Sequence, residues 1–418
     1  MNSPPKNQKN QQKLSNKPMS RWLSLYKKSL LALACVTLVV GLASGWYFWD
    51  EPLLSPLNQG ARFLFLTGNE QPASDGKIVY GYLPYWNLNK VEIQPELTHL
   101  AYFGLTIGPD GKIITREAET NTGEPGYHGL QSDQLLELSQ RPGSPLELEI
   151  VLAQFDNDAI VALLNSPSAH HNLISSLDSL LLAYPITGVN IDIEYSGEVT
   201  PHLRHKLTEL VTSLNRHLDE KYEGITLSIA MYASAADDTH LWDVPKLGEQ
   251  VDYIIVMAYD FHRRSSPQAG PVAPLFGGKE LWDSDISEHL QKFARSVPKS
   301  KLLLGVPFYG YEWQTTSRDA QAHTFPDSGA TASFARVQEL LTRRQELKVE
   351  ESWNDRALSP YISYQEDGLS YVVYYENSRS ISYKLDYVNQ LDLGGIAIWA
   401  LGYEGKNREL WDVIQRKL

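Results

Sequence analysis

From Lys77 to the C-terminus, short apolar runs alternate with longer amphipathic segments, and this alternation constrains the fold more than any other feature. The runs Ile78–Leu83, Thr98–Thr106, Leu148–Phe155, Gly188–Glu194, Ile225–Met231, Tyr253–Tyr259, Lys301–Phe308 and Gly395–Ala400 have the length and composition of buried strands. Helix-period sequence such as His202–Tyr222 lies between several of them. Eight such repeats predict an α/β protein, a (β/α)8 TIM barrel, whose active face is built from the strand C-terminal ends and the loops after them. A doubly wound open sheet is the architectural rival. Bound to nucleotides it would bring a Gly-rich phosphate turn, and the sequence has none. The connection between strands 7 and 8, about Gln314 to Asn377, is too long for an ordinary barrel loop. It holds a helix-like Ala332–Leu347 and strand-like runs around Tyr361–Tyr364 and Leu369–Tyr375, and is expected to form a small α+β insertion that walls one side of the active face.

The N-terminal part reads differently. Residues 1–28 carry seven Lys or Arg and no acid, and removing those charges from the net −13 leaves −20 for the remainder. So acidic a body argues against nucleic acid as a partner. Ser29 to Trp49 is free of charge, and as a helix it would extend about 31 Å, enough to cross a bilayer. The expectation is a transmembrane helix, with the basic arm in the cytoplasm and the barrel held by a single pass on the extracytoplasmic side of the membrane. A cleaved signal peptide is the rival reading; the length of the run and the belt Trp46, Tyr47, Phe48 and Trp49 favour the anchor. The sole cysteine, Cys35, falls in this run, so the exported part has no disulfide. The expected organisation is a basic arm at 1–28, an anchor at 29–49, a Pro- and Gly-containing linker at 50–76 and a barrel at 77–418.

Within the fourth run, Gly188-Val189-Asn190-Ile191-Asp192-Ile193-Glu194-Tyr195, side chains alternate between faces. Val189, Ile191 and Ile193 share one face, and Asn190, Asp192 and Glu194 form a row on the other. Neighbours in the row lie about 6.6 Å apart at Cα, close enough for two carboxylates to perturb each other's protonation. An amphipathic strand with a wet face is the bland alternative. The histidines, including His170-His171 and His262, have no metal-site spacing, and neither a Ser/His/Asp elbow nor a phosphate loop is visible. No cofactor and no metal are expected.

The stretch from about Lys77 to Leu418 resembles glycoside hydrolase family 18, the chitinase-like barrels, whose fourth strand reads Asp-Gly-x-Asp-x-Asp-x-Glu. Here that register is Thr187-Gly188-Val189-Asn190-Ile191-Asp192-Ile193-Glu194, with the last two acids in place and the first two replaced. Asn190 is similar to the branch that cleaves bacterial cell-wall and spore-cortex glycans. Gly81-Tyr82-Leu83-Pro84-Tyr85-Trp86, Met257-Ala258-Tyr259-Asp260-Phe261-His262, Gly305-Val306-Pro307-Phe308-Tyr309-Gly310 and Gly394-Gly395-Ile396-Ala397-Ile398-Trp399-Ala400-Leu401 resemble the first, sixth, seventh and eighth strands in order. The third-strand Ser-x-Gly-Gly of many chitinases is replaced by Ala153-Gln154-Phe155.

Glycoside cleavage needs an acid that stays protonated at working pH, and Glu194, at a strand end with Asp192 below it, is expected to be that general acid. A protein nucleophile would sit across the sugar, whereas Asp192 lies on the same strand as the acid. The resemblance implies instead that the substrate's own 2-acetamido oxygen attacks, with Asp192 orienting it and Tyr259 hydrogen-bonding it. It further implies substrate contacts from Asn190, Met257, Asp260 and the aromatic platform Tyr82, Trp86 and Trp399. Apart from the resemblance, Tyr259 reads equally as a buried tyrosine, Asp260 as a helix cap and Trp399 as core. The expected partner is an oligosaccharide or polysaccharide containing N-acetylglucosamine, cleaved by a membrane-anchored β-N-acetylglucosaminidase. A non-catalytic glycan-binding protein on the same barrel is the alternative.

Overall fold

In the computed structural model, which describes residues 76–117, 120, 122–139, 146–237 and 239–418, the eight apolar runs close on one another. They are β1 (Ile78–Pro84), β2 (His99–Thr106), β3 (Glu147–Gln154), β4 (Gly188–Ile193), β5 (Thr226–Tyr232), β6 (Tyr253–Met257), β7 (Leu302–Pro307) and a last strand, Gly395–Trp399. All neighbouring pairs are parallel and β1 pairs with both β2 and the last strand, so no edge is left open. This is the closed eight-stranded parallel barrel expected from the alternation.

Period-two alternation divides every strand. Outward residues such as Val189, Ile191 and Ile193 on β4 join the large core shared with the helices. Inward residues form a second, separate core of Tyr80, Tyr82, Ala101, Val151, Ala230, Ile255, Leu303 and Ala397. Two tyrosines fit inside because the positions facing them are small.

The helices begin where their sequences supply caps. Asp156, Ser166, Thr200 and Asp285 each accept a hydrogen bond from a backbone N–H three residues on. Pro201–Lys221 shows the packing logic: Leu203, Leu207, Leu210, Val211, Leu214 and Leu218 are buried at helical spacing while charged residues cover the other face.

Between β7 and the last strand lies a five-stranded antiparallel sheet. It contains β8 (Tyr309–Thr315), β9 (Ala330–Ser333), β10 (Glu350–Asn354), β11 (Ser359–Glu366) and β12 (Leu369–Tyr374), which makes the final barrel strand β13. β8 starts two residues after β7, ahead of the Gln314 expected from loop length, because Tyr309 to Gln314 pair with β9 and β12 instead of forming a loop. The expected helix at Ala332–Leu347 is two, Phe334–Thr342 and Arg344–Leu347, preceded by β9.

The assignment of the chain to a membrane by a single pass is corrected. Among the described residues no helix is long and apolar enough to cross a membrane. Pro201–Lys221 has 21 residues, but one face carries charges from Arg204 to Lys221. The arm, the apolar run at 29–49 and the stretch to 75, on which that expectation rested, lie outside the described residues.

Where the inserted sheet returns to the barrel, Glu376 meets Lys384 of the helix Ser378–Leu391 at 2.6 Å, with both side chains essentially without solvent contact. Removing one partner strands a buried charge. Lys384→Met is therefore expected to destabilise the protein by about 3–5 kcal/mol, measured in urea denaturation, and the double replacement Glu376→Leu/Lys384→Met should regain most of that loss.

Candidate active site

β4 carries its acidic row up the inside of the barrel and delivers Asp192 and Glu194 to a groove of about 380 Å³ at the C-terminal end of the strands. Tyr82 and Trp86 reach the same groove from β1 and the turn after it. Met257, Tyr259 and Asp260 arrive from the end of β6, and Trp399 from the end of β13. Eight of the nine residues expected at the site thus converge. The ninth, Asn190, is fully buried beneath the groove and does not line it. It lies one inward step below Asp192, where its amide nitrogen donates to Ser228 Oγ at 2.8 Å and its oxygen accepts from the Tyr82 hydroxyl at 3.4 Å.

The electrostatics follow from depth. Asp192 is 4% exposed, and its Oδ1 has no hydrogen-bond partner among the described residues. Burial, and secondarily the charge of Glu194, push its carboxyl well above the ordinary aspartate range. Glu194 is also raised, mainly by burial and then by Asp260, while a hydrogen bond from the Tyr232 hydroxyl and the charge of Arg263 pull it back. Both carboxyls of the pair thus resist ionisation, and the charge of Glu194 adds to the cost of ionising Asp192. Tyr259 is half-buried beside Asp192, Asp260 and Glu194, and desolvation followed by those acids raises its phenol well above the ordinary range, so it remains a hydrogen-bond donor.

Asp260 is positioned by the inserted sheet. Its backbone is left-handed, with φ of 63°, and its Oδ1 accepts from the hydroxyls of Tyr309 and Tyr311 on β8, the latter at 2.9 Å. Gly305 on β7 leaves room for Tyr259, since a Cβ there would lie 3.0 Å from its ring and 2.5 Å from the Val256 carbonyl.

The apolar side is aromatic. The Trp399 ring lies 5.5 Å from Tyr82 and 5.0 Å, edge to face, from Phe103. Phe103 in turn meets Trp86 and stacks on the exposed Phe155. Such rings present flat apolar faces to the C–H faces of sugars.

Reading by sequence missed Tyr232, Arg263, Phe103, Phe155 and Tyr309, which also line the groove. Tyr232 and Phe103 continue the inward alternation of β5 and β2, a signal open to strand-end counting. Arg263 and Tyr309 depend on how the β6 loop and the insertion fold back, which no local pattern specifies. A second cavity of about 490 Å³ shares Tyr232, Met257, Tyr259, Asp260 and Arg263 with the first and is lined further by polar residues including Ser234, His240 and Asp283. His262 donates its Nδ1–H to the Pro271 carbonyl at 2.9 Å, and burial lowers its pKa. Among the described residues no group of three or more His, Cys, Asp or Glu is placed to hold a metal ion.

Because the Tyr232 hydroxyl and the Arg263 charge both hold the Glu194 carboxyl down, Tyr232→Phe should raise the titration midpoint of Glu194, and Arg263→Gln should do the same by removing a cation. Carboxyl-resolved NMR titration would check both directions; a midpoint that falls in either variant would contradict the arrangement.

Residues 78–404 match the family model described as "Glycosyl hydrolases family 18". The "Cortical fragment-lytic enzyme" of Bacillus anthracis is 23% identical over 320 residues, covering 74% of this chain and 66% of that protein. The chain thus spans about two thirds of that relative. A Group IV chitinase of Ostrinia furnacalis superposes with a TM-score of 0.69 at 22% identity, covering 82% of this chain and 100% of the other. A chitinase from Cycas revoluta, solved in complex with (GlcNAc)4, superposes with a TM-score of 0.68 at 20% identity, covering 81% and 99%. At these identities the superpositions speak to the fold.

Proposed function

Because the chain belongs to the glycosyl hydrolases of family 18, and is accordingly a chitinase-like glycosidase, we propose that it cleaves β-linked N-acetylglucosamine-containing glycans with the substrate's own acetamido group as nucleophile and Glu194 as general acid. The observation that carries this reading is Asp192: a carboxyl buried beneath Glu194 on the same strand, lining the groove, with an oxygen that has no hydrogen-bond partner among the described residues. A group so placed cannot attack a sugar held across from the acid, but it can hold the N–H of an acetamido group and balance positive charge.

Catalysis then runs in two steps. Glu194 gives its proton to the glycosidic oxygen as the C1–O bond breaks, and the acetamido oxygen closes on C1 to form an oxazolinium. Asp192 stabilises that cation through its N–H, and Tyr259 donates to the acetamido group. Water then opens the ring, giving its proton to Glu194 and restoring the acid with configuration retained. Trp399 floors the sugar site, and Tyr82, Trp86 and Met257 complete its walls. Asp260, already engaged by Tyr309 and Tyr311, holds the loop that carries Tyr259 and contributes a polar edge. The (GlcNAc)4 bound by the Cycas revoluta enzyme and the cortical activity in the name of the Bacillus anthracis relative both support a glycan of this class as substrate.

The pH dependence has a definite sign. Glu194 must be protonated to act, and its raised pKa keeps it so to higher pH than an ordinary glutamate, so activity is lost as pH rises through that value. On the acid side, protonating the pair twice removes the charge that balances the oxazolinium, and activity falls again.

Glu194→Gln should lower hydrolysis of unactivated glycans by at least about 10²-fold, and Asp192→Asn should be similarly severe because an amide cannot balance the developing charge. The decisive comparison changes the substrate. A glycan with free 2-amines at the cleaved sugar should bind without being cut, and a thiazoline analogue should inhibit. A covalent glycosyl adduct on any Asp or Glu, trapped with a fluorinated sugar and seen by mass spectrometry, would overturn the mechanism.

A further inference from the structure

Beneath the catalytic pair the barrel contains an acid that the reaction above does not use. Glu149, on β3, is fully buried. Its Oε2 accepts from the Tyr80 hydroxyl at 2.7 Å and from Ser228 Oγ at 3.0 Å, and its Oε1 accepts from Thr226 Oγ1 at 3.3 Å. Among the described residues it has no ion pair, and the groups facing it are not cationic. They are Tyr80 and Tyr82 on β1, Thr226 and Ser228 on β5, and Asp252 and Tyr253 at the start of β6. A buried carboxyl without a counter-ion is costly to keep, and an apolar side chain would fill the space without that cost. The barrel has instead been shaped around it: at Gly188 on β4 a Cβ would lie 2.6 Å from Glu149 Cγ.

The hydrogen bonds leading away from Glu149 have a direction. Ser228 has one hydroxyl proton and spends it on Glu149, so its oxygen is left to accept from the amide nitrogen of Asn190 at 2.8 Å. With its nitrogen committed, Asn190 must present its oxygen to the Tyr82 hydroxyl. Tyr82 lines the groove and feels the charge of Asp192 directly. We propose that Glu149 is a positioning residue for the catalytic pair: from the barrel floor its carboxylate fixes the direction of the Ser228–Asn190–Tyr82 hydrogen-bond chain, and through it the polar environment of Asp192. The proposal rests on the roles given above to Asp192 and Glu194, and it accounts for an amide at position 190, since an amide can relay the orientation that the acid beneath it sets.

Burial raises the Glu149 carboxyl to about 7, against the pull of its three hydroxyl donors. On protonation Glu149 itself becomes a donor. Ser228 is then free to turn its proton toward position 190, which favours the flipped amide with nitrogen toward Tyr82. The protonation of a group on the floor is thus linked to the hydroxyl beside Asp192.

The test reads kcat, KM and the pH profile on an N-acetylglucosamine oligosaccharide, and separately the carboxyl NMR titrations of Asp192 and Glu194 without substrate. Glu149→Gln should lower kcat about 10-fold with KM changed less than about twofold, remove an inflection near pH 7 from the kcat profile, and move the titration midpoints of the pair. Ser228→Ala, which breaks the chain but leaves Glu149 in place, should have the same effects, and the two replacements together should cost no more than either. If Glu149→Gln does not fold, as judged by thermal unfolding, Ser228→Ala carries the same readouts. Moving the acid up the chain in Glu149→Gln/Asn190→Asp should recover part of kcat, which a purely structural role for Glu149 would not allow. Unchanged midpoints in a folded Glu149→Gln or Ser228→Ala protein would overturn the proposal. A wild-type protein that cuts no such glycan would count against the proposed function instead, and the titrations would still decide the role of Glu149.

Discussion

Closure of eight parallel strands imposes the constraint on which everything else depends: the inside of the barrel is small, and every second residue of every strand points into it. Large inward side chains can be accommodated only where their neighbours are reduced. Tyr80 and Tyr82 are inside because Ala101, Ala230 and Ala397 face inward with them, and Glu149 and Tyr259 have space because positions 188 and 305 are glycine. The same volume argument explains why the floor is polar. Two tyrosine hydroxyls, an amide, two hydroxyl side chains and a carboxyl are brought together there, and they hydrogen-bond to one another.

That floor bears on the chemistry above it. Burial makes any carboxyl placed inside the barrel harder to ionise. Two carboxyls one inward step apart are also coupled, because ionising either raises the cost of ionising the other. Asp192 and Glu194 have this relation, and their surroundings differ in a way that separates their behaviour: Glu194 has a tyrosine donor and a nearby arginine at the rim, while Asp192 has desolvation and little else. The rim group is the one able to exchange protons with a leaving group, and the deep one is the one whose charge is felt most strongly.

Much of this was legible in the sequence, and the reasons are specific. The barrel was, because eight short apolar runs at regular spacing leave few closed arrangements. The acidic row of β4 was, because alternation predicts which side chains share a face, whereas the groove residues on β1, after β6 and on β13 came from the family resemblance, since alone Tyr259, Asp260 and Trp399 read as a buried tyrosine, a helix cap and core. Depth was not. Asn190 and Asp192 look equivalent on a strand diagram, yet one is sealed under the other. Glu147 and Glu149 illustrate the same limit: both sit between leucines or isoleucines, but Glu147 is exposed at the mouth of β3 and Glu149, one inward step along, is fully buried. Alternation gives the face of a strand, whereas burial depends on how far up the barrel the residue lies and on which neighbours close over it.

The inserted sheet shows how a distant segment becomes part of the site. β8 leaves β7 with Phe308 still in the core, and its next residues, Tyr309 and Tyr311, point their hydroxyls at Asp260 on the loop after β6. Asp260 holds a left-handed backbone there, an unfavourable conformation for a residue with a side chain, and two phenolic donors on its carboxylate offset that cost. The loop so fixed carries Tyr259 on one side and Arg263 on the other, whose guanidinium is in turn tied to the Asp260 carbonyl at 3.2 Å. The inserted sheet therefore reaches the groove through Tyr309, while none of the residues 314–377 expected to wall it is among the groove's lining. It sets the position of a donor and a cation that both act on the carboxyl pair, although the segment itself contributes no acid to that pair.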